Sequence, residues 1–145
     1  MLTRTEYMEI YNIVGAAMEV HSELGGHLEE SIYQYAMREE LKLRNIPFEA
    51  EKLIPVEYKG VQLKPYFKAD FICNDNIVVE FKSVEKLCAE HRSQLFNYMR
   101  LLKSERGILI NFGGNSLAAE RYYFNKNYDE MILLTKDNLE DFVME

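Results

Sequence analysis

Two carboxylates and a lysine form the pattern with the clearest chemical meaning in this 145-residue chain. Glu80 and Lys82 are two residues apart in an apolar, strand-like segment, so their side chains share one face of the strand. Asp70 lies in the preceding segment, where polar and apolar residues also alternate. Carboxylate oxygens are the ligands that Mg²⁺ prefers, and a lysine beside them can orient water or stabilise a negative phosphate. The three residues therefore indicate metal-assisted hydrolysis.

The turn at residues 74–76 decides whether Asp70 meets Glu80. A three-residue loop places Asp70 opposite Glu80, whereas a two-residue loop would put Glu80 on the side of Phe71. We favour the three-residue loop because it sorts polar with polar and apolar with apolar side chains. Asp70 and Glu80 then become cross-strand neighbours on a polar face that also carries Lys82. The alternative is an exposed sheet face that carries these three residues by chance.

The rest of the chain supplies helices and strands that can position this group. Apolar residues at helical spacing predict helices over about residues 5–24, 28–43 and 85–103, and a short one near 137–143. Strand patterns cover 48–58, a return through 61–63, then 66–73, 77–84, 107–112 and 121–124. Pro55 predicts an edge position or a bulge. The helix at 85–103 joins two strands that should be parallel neighbours. We expect one α/β domain over residues 1–145, with its core at about 5–125.

Several segments resemble the GxxExxY proteins, which are placed in the PD-(D/E)XK nuclease superfamily. They are LGGHLEESIY (24–33), IPVEYKG (54–60), AD (69–70), VEFKSV (79–84), QLFNY (94–98) and GILINFG (107–113). The resemblance covers roughly residues 5–125. It implies a restriction-endonuclease-like fold, in which an αβββαβ core is here preceded by an extra N-terminal helix.

The same resemblance implies which residues form the site. Asp70 and Glu80 would hold Mg²⁺ or Mn²⁺ together with the backbone carbonyl of Phe81 and the helix acid Glu30. Lys82 would complete the E-x-K pair. We align Glu30 and Tyr33 with the E-x-x-Y part of the motif; the alternative alignment keeps Gly26 and Glu29 but loses the tyrosine.

Residues on the predicted helix at 85–103 could also contribute to the site. Gln94 matches a polar position often found beside the site, and its partner is either a site water or a backbone carbonyl. His91 shares the face of Gln94 and is interpreted as a core or supporting residue rather than a metal ligand. Lys86, Arg92 and Arg100 could contact phosphates, although a solvated helix face is the default interpretation.

Charge and composition narrow the class of protein. The formal net charge is −7, but residues 127–145 hold six acids and one base, so residues 1–126 carry only −2. An acidic total is thus weak evidence against nucleic-acid binding. No stretch approaches the ~18 consecutive apolar residues of a membrane span. The two cysteines lack metal-site spacing, which favours a cytoplasmic protein without disulfides.

These observations favour a metal-dependent nuclease that hydrolyses phosphodiester bonds, and the resemblance implies DNA as its substrate. The alternative is an inactive nuclease fold that acts as a nucleic-acid-binding or protein-binding regulatory module. A third interpretation uses the acidic C-terminal segment as a surface for a protein partner. Membership of a fold does not by itself establish activity.

Overall fold

A mixed β-sheet with helices on both faces organises the computed structural model, which describes residues 1–145 except for the side chain of residue 65. The helices are α1 (Arg4–Leu24), α2 (Glu30–Leu43), α3 (Ala89–Leu102) and α4 (Leu139–Phe142). The strands are β1 (Phe48–Tyr58), β2 (Val61–Cys73), β3 (Ile77–Lys82), β4 (Arg106–Asn111), β5 (Ala118–Asn125) and β6 (Glu130–Leu133).

The strands lie side by side in the order of the sequence, from β1 to β6. Only the β3–β4 pair is parallel among the described residues, and α3 makes the crossover between these two strands. The predicted parallel pair is therefore confirmed. Elements α2 to β4 follow the order αβββαβ, so the fold is of the restriction-endonuclease-like α/β class, with α1 as the extra N-terminal helix.

Local sequence signals explain where the helices begin and end. Thr3 and Glu6 form a reciprocal capping box at the start of α1, and Gly25 ends the helix with a positive φ of 74°. The third helix is shorter than predicted, because it begins at Ala89 instead of residue 85. Among the described residues, none of the helices has the length and apolar character that a membrane crossing requires.

The β1–β2 hairpin is longer than the sequence pattern suggests. Residues 61–63 and 66–73 belong to one continuous strand rather than to a short return and a separate strand. The pairing register shifts between Ile54 and Val56, around Pro55, and β1 is the edge strand. Both predictions for this proline are thus confirmed.

Two hydrophobic clusters cover the two faces of the sheet. Phe71, Val79 and Phe81 pack with residues of α1 and α2, whereas Ile72 and Val78 pack with residues of α3. Val78 and Val79 belong to different clusters because neighbouring residues of a strand face opposite ways. All but the last residue of β3 are buried, so the strand that carries the candidate site is fixed by packing on both faces.

The C-terminal segment, residues 127–145, packs onto the rest of the fold. β6 pairs with β5 and extends the sheet. Leu134 is buried, and Leu2 forms a parallel bridge to Val143. The backbone N–H of Leu2 donates to Phe142, and that of Met144 donates to Leu2. This segment therefore anchors the N-terminus in addition to carrying excess acid.

Candidate active site

Asp70 and Glu80 meet where the β2–β3 ladder ends. The two strands pair at Phe71–Val79, Ile72–Val78 and Cys73–Ile77, which is the predicted register. One step further, side chains replace the regular ladder. The backbone N–H of Asp70 donates to Glu80 Oε2 (3.1 Å), and the backbone N–H of Phe81 donates to Asp70 Oδ2 (2.8 Å). Each carboxylate is therefore held by the backbone of the opposite strand.

Glu80 is buried in this arrangement instead of lying on an exposed polar face. Its exposed fraction is 2%, and its Oε1 atom has no hydrogen-bond partner among the described residues. Burial raises the pKa of the Glu80 carboxyl, and the negative charge of Asp70 raises it further, whereas the hydrogen bond from the backbone N–H of Asp70 lowers it. A buried carboxylate oxygen without a partner is costly unless the group is protonated or a cation compensates its charge. The site is therefore suited to a positive ligand.

A hydrogen-bonded chain fixes the lysine of the pattern. Lys82 Nζ donates to Gln94 Oε1 (3.0 Å), and Gln94 Nε2 donates to the hydroxyl of Tyr98 (3.0 Å). The partners of Gln94 are thus two side chains, whereas the sequence analysis expected a water or a backbone carbonyl. Burial raises the pKa of Tyr98, and the charges of Glu80 and Asp70 act in the same direction. Tyr98 consequently supports Lys82 as a neutral hydroxyl.

Glu30 is carried by α2, which packs on the face of the sheet opposite to α3. It is the first residue of α2 and accepts a hydrogen bond from Gln34 Nε2 (3.1 Å). Burial raises the pKa of Glu30, the negative charge of Asp70 raises it further, and the positive charge of Lys82 lowers it. Its neighbour Glu29 is exposed, as the Glu30 alignment predicts.

Several hydrogen bonds hold the loop before α2 in place. The buried hydroxyl of Tyr33 donates to the carbonyl of Gly25 (2.6 Å) and accepts from the N–H of Leu28 (3.1 Å). The hydroxyl of Ser83, next to Lys82, donates to the carbonyl of Leu28. A Cβ at Gly26 would overlap the backbone of the loop after β4. These contacts set where α2 starts, and so where Glu30 lies.

Asn111 is a supporting residue that the sequence analysis did not single out. Its side chain accepts from the N–H groups of Val84 and Gly113 (3.0 Å each) and donates to the carbonyl of Val84 (2.9 Å). These bonds hold the chain just beyond Lys82 against the end of β4. The only signal in the sequence is a polar residue that interrupts the apolar run of residues 107–112.

Comparison with known proteins agrees with this geometry. A family model described as the PD-(D/E)XK nuclease superfamily matches residues 7–122. The chain belongs to this superfamily. The matched range includes Asp70, Glu80 and Lys82.

A solved structure offers a second comparison. It is described as "Crystal structure of SSO0001", is 27% identical and has a TM-score of 0.51. The alignment covers 63% of this chain and 48% of that chain, so it spans about half the length of the solved protein. No curated protein matches the sequence.

The residues present fit the divalent cation that PD-(D/E)XK nucleases generally use. Glu80 Oε1 is buried without a partner, and Asp70 supplies a second carboxylate beside it. Among the described residues, no three His, Cys, Asp or Glu side chains are grouped closely enough to hold a metal ion together. Remaining ligands would thus come from the Phe81 carbonyl and from water. Such mixed coordination suits Mg²⁺, which keeps several waters.

His91 takes no part in this group. Its Nδ1 atom accepts from the N–H of Cys88 (3.1 Å) and lies 3.5 Å from Cys88 Sγ, at the first turn of α3. His91 therefore caps the helix, which agrees with a supporting role instead of metal ligation.

Two of the three predicted phosphate-binding residues already have partners. Arg92 makes two hydrogen bonds of 2.8 Å to Glu120, and Arg100 donates to Asp129 (3.0 Å). These partners neutralise charge that a phosphate would otherwise meet. Lys86 is exposed. Phosphate binding by all three stays a prediction.

Proposed function

We propose that this chain is a divalent-metal-dependent nuclease that hydrolyses phosphodiester bonds, with DNA as the preferred substrate. The observation that supports this most strongly is the unpartnered, buried oxygen of Glu80 beside Asp70 and Lys82. A structural ion pair would leave no such oxygen, because Lys82 would bond to a carboxylate. Instead, Lys82 donates its hydrogen bond to the neutral side-chain amide of Gln94.

Mg²⁺ or Mn²⁺ would be held directly by the carboxylates of Asp70 and Glu80 and the backbone carbonyl of Phe81, with the Glu30 carboxylate as an outer contributor. A bound cation would neutralise phosphate charge and lower the pKa of a coordinated water. Glu30 would contribute through a water, because Gln34 already donates a hydrogen bond to one of its oxygens. The backbone N–H of Phe81 donates a hydrogen bond to Asp70 Oδ2 and so holds this carboxylate in place.

Lys82 would stabilise the negative charge that develops on the phosphate, or orient the attacking water. Gln94 is a positioning residue, because it holds the ammonium group by its amide oxygen without removing its charge. Tyr98 fixes the other end of that amide. The chain of three side chains thus presents a charged, pre-positioned donor next to two carboxylates.

A reducing, cytoplasmic setting is part of this proposal. Cys73 is buried and Cys88 is exposed, and both are free thiols. Disulfides are rare in compartments where thiols stay reduced.

The test is cleavage of labelled single-stranded and duplex DNA by the purified protein, with Mg²⁺, Mn²⁺ or EDTA. We expect products with metal, none with EDTA and none from Asp70→Asn. Glu29→Gln is the matched control, because it removes an exposed acid next to Glu30 and should remain active. If the wild type binds DNA but cleaves none with either metal, the nuclease proposal fails and the protein is a binding module.

A further inference from the structure

One part of the β1–β2 hairpin extends beyond the strand that carries the candidate site. β2 pairs with β3 only from Phe71 to Cys73, whereas β1 and β2 pair with each other along their full length. We call residues 52–69 the arm. Its root is buried at Ile54 and Ala69, which pack with residues of α3, and most of the rest is exposed. The arm ends one residue before Asp70, so it leads directly into the site.

The arm is a basic segment in an acidic protein. It holds four lysines and one glutamate, a net charge of +3, which leaves −10 for the other residues of a chain whose total is −7. Lys52 pairs with Glu49 (3.0 Å) and Lys68 pairs with Glu51 (3.9 Å) at the root. These pairs are exposed and contribute little to stability, so phosphates can replace their carboxylates. An anionic ligand would therefore be drawn to the arm rather than to the rest of the surface.

Aromatic side chains alternate with these lysines and are unusually open to solvent. Tyr58, Tyr66 and Phe67 are 59%, 46% and 45% exposed. Lys59 lies over the ring of Tyr58, with its ammonium 5.4 Å from the ring centroid. Exposed aromatic rings interleaved with basic residues are typical of surfaces that bind single-stranded nucleic acid, where bases stack on the rings.

A cleft between the arm and α3 connects this surface to the catalytic lysine. Its volume is about 370 Å³, and Phe67, Ser93, Asn97 and Tyr98 contribute to its lining. The Phe67 ring lies 5.5 Å from that of Tyr98, at an angle of 49°. The hydroxyl of Tyr98 starts the hydrogen-bonded chain that ends at Lys82. An occupant of the cleft would thus lie next to the group that positions Lys82.

We propose that the arm and the cleft bind an unpaired nucleic-acid strand, with a base stacked on Phe67 and phosphates on Lys59 and Lys64. This rests on the proposed nuclease function, because the strand would lead its backbone to Asp70. Stacking requires a free base face, which a duplex buries between its base pairs. The arm contains no arginine to read base edges in bidentate fashion, so it should bind with little sequence preference.

The test is fluorescence anisotropy in EDTA, which separates binding from cleavage. Three labelled probes are compared: a thymidine strand of about 15 nucleotides, an abasic strand of equal length, and a duplex of equal length, all near the site sizes of single-strand-binding surfaces. We expect the thymidine strand to bind most tightly. Phe67→Ala should weaken it about 5- to 160-fold, the range for losing one stacked base, and leave the abasic strand unchanged.

Further variants separate stacking from charge and from misfolding. Phe67→Tyr keeps the aromatic ring and should bind the thymidine strand as the wild type does. Phe67→Leu retains an apolar contact with Tyr98 but should weaken binding of this strand as much as Phe67→Ala. Lys59→Gln with Lys64→Gln should weaken both single strands and reduce the slope of log affinity against log salt by about 1.4. The charge-matched control, Lys42→Gln with Lys136→Gln, should change neither.

Two results would overturn the inference: Phe67→Ala binding the thymidine strand as the wild type does, or the duplex binding as tightly as the single strand. Either could occur while metal-dependent cleavage persists, which would leave the nuclease proposal intact. Conversely, stacking-dependent binding without cleavage under any metal would support the arm and refute the nuclease. The two proposals therefore fail in different experiments.

Discussion

Replacing Glu80 by glutamine should change how the stability of the metal-free protein depends on pH. Glu80 is 2% exposed, and burial next to Asp70 raises its pKa above that of the unfolded chain. The folded protein therefore retains a proton that the unfolded chain releases above about pH 4.3. A raised carboxyl pKa contributes stability that is complete below the unfolded pKa and is lost as pH rises toward the folded one. Glutamine has no proton to lose, so it removes this dependence.

The size of the effect follows from linkage. While Glu80 stays protonated only in the folded state, the wild type should lose about 1.4 kcal/mol per pH unit relative to Glu80→Gln. Between about pH 5 and about pH 7 the two free energies of unfolding should diverge by about 3 kcal/mol. Glu30, whose pKa is also raised, is present in both proteins and cancels in this comparison.

Urea unfolding in EDTA at a series of pH values measures this difference, with ΔG extrapolated linearly to zero urea. Glu29→Gln controls for the general loss of one acid, because Glu29 is exposed. Parallel curves for the wild type and Glu80→Gln would refute the reasoning. They would mean that Glu80 releases its proton as easily in the folded protein as in the unfolded chain.

Other variants test the metal, the lysine and the loop. Mn²⁺ at about 100 times its Kd should stabilise the wild type by about 2.7 kcal/mol; Asp70→Asn should be more stable than the wild type in EDTA and respond little to Mn²⁺ in thermal melts. Lys82→Ala should keep the Mn²⁺ response and lose cleavage, and a lost response would instead make Lys82 structural. Gln94→Ala should also keep the response but lower kcat at least about tenfold, because Lys82 loses its fixed position; an unchanged kcat would remove Gln94 from the account. Gly26→Ala should destabilise the protein by about 1–3 kcal/mol in urea unfolding, because its methyl group meets backbone. Gly114→Ala is the comparison, with a milder steric contact at 3.3 Å, and equal losses would contradict the steric argument.

The register of Asp70 and Glu80 could be predicted because strand geometry leaves few choices. A strand alternates faces with a period of two, so a one-residue slip would have moved Glu80 to the face of Phe71. The three-residue turn then fixed the pairing. The pattern does not predict that the ladder stops at this point and that carboxylates accept the backbone N–H groups of the opposite strand. That rearrangement depends on burial by α3, which is a tertiary effect.

Long-range contacts account for most of what sequence reasoning missed. Gln94 is 12 residues from Lys82, and Tyr98 is 16, so no local pattern indicates that they form one chain. Glu120 lies 28 residues from Arg92 and removes it from the set of unpaired basic residues. β6 was missed because only a short apolar run at residues 131–134 marks it. The sequence indicates the type of each chemical group but not the residue with which it forms a hydrogen bond or an ion pair.

Manganese in crystals of the wild type would test the central claim most directly, because Mn²⁺ scatters anomalously and shows its own position. We predict an anomalous peak in contact with the carboxylate oxygens of Asp70 and Glu80, including the Oε1 atom that has no protein partner among the described residues. The peak should be absent from Asp70→Asn crystals soaked in the same way. A peak elsewhere, or none at this pair in a wild-type crystal soaked with excess Mn²⁺ at neutral pH or above, would contradict the assignment of a metal-dependent catalytic site.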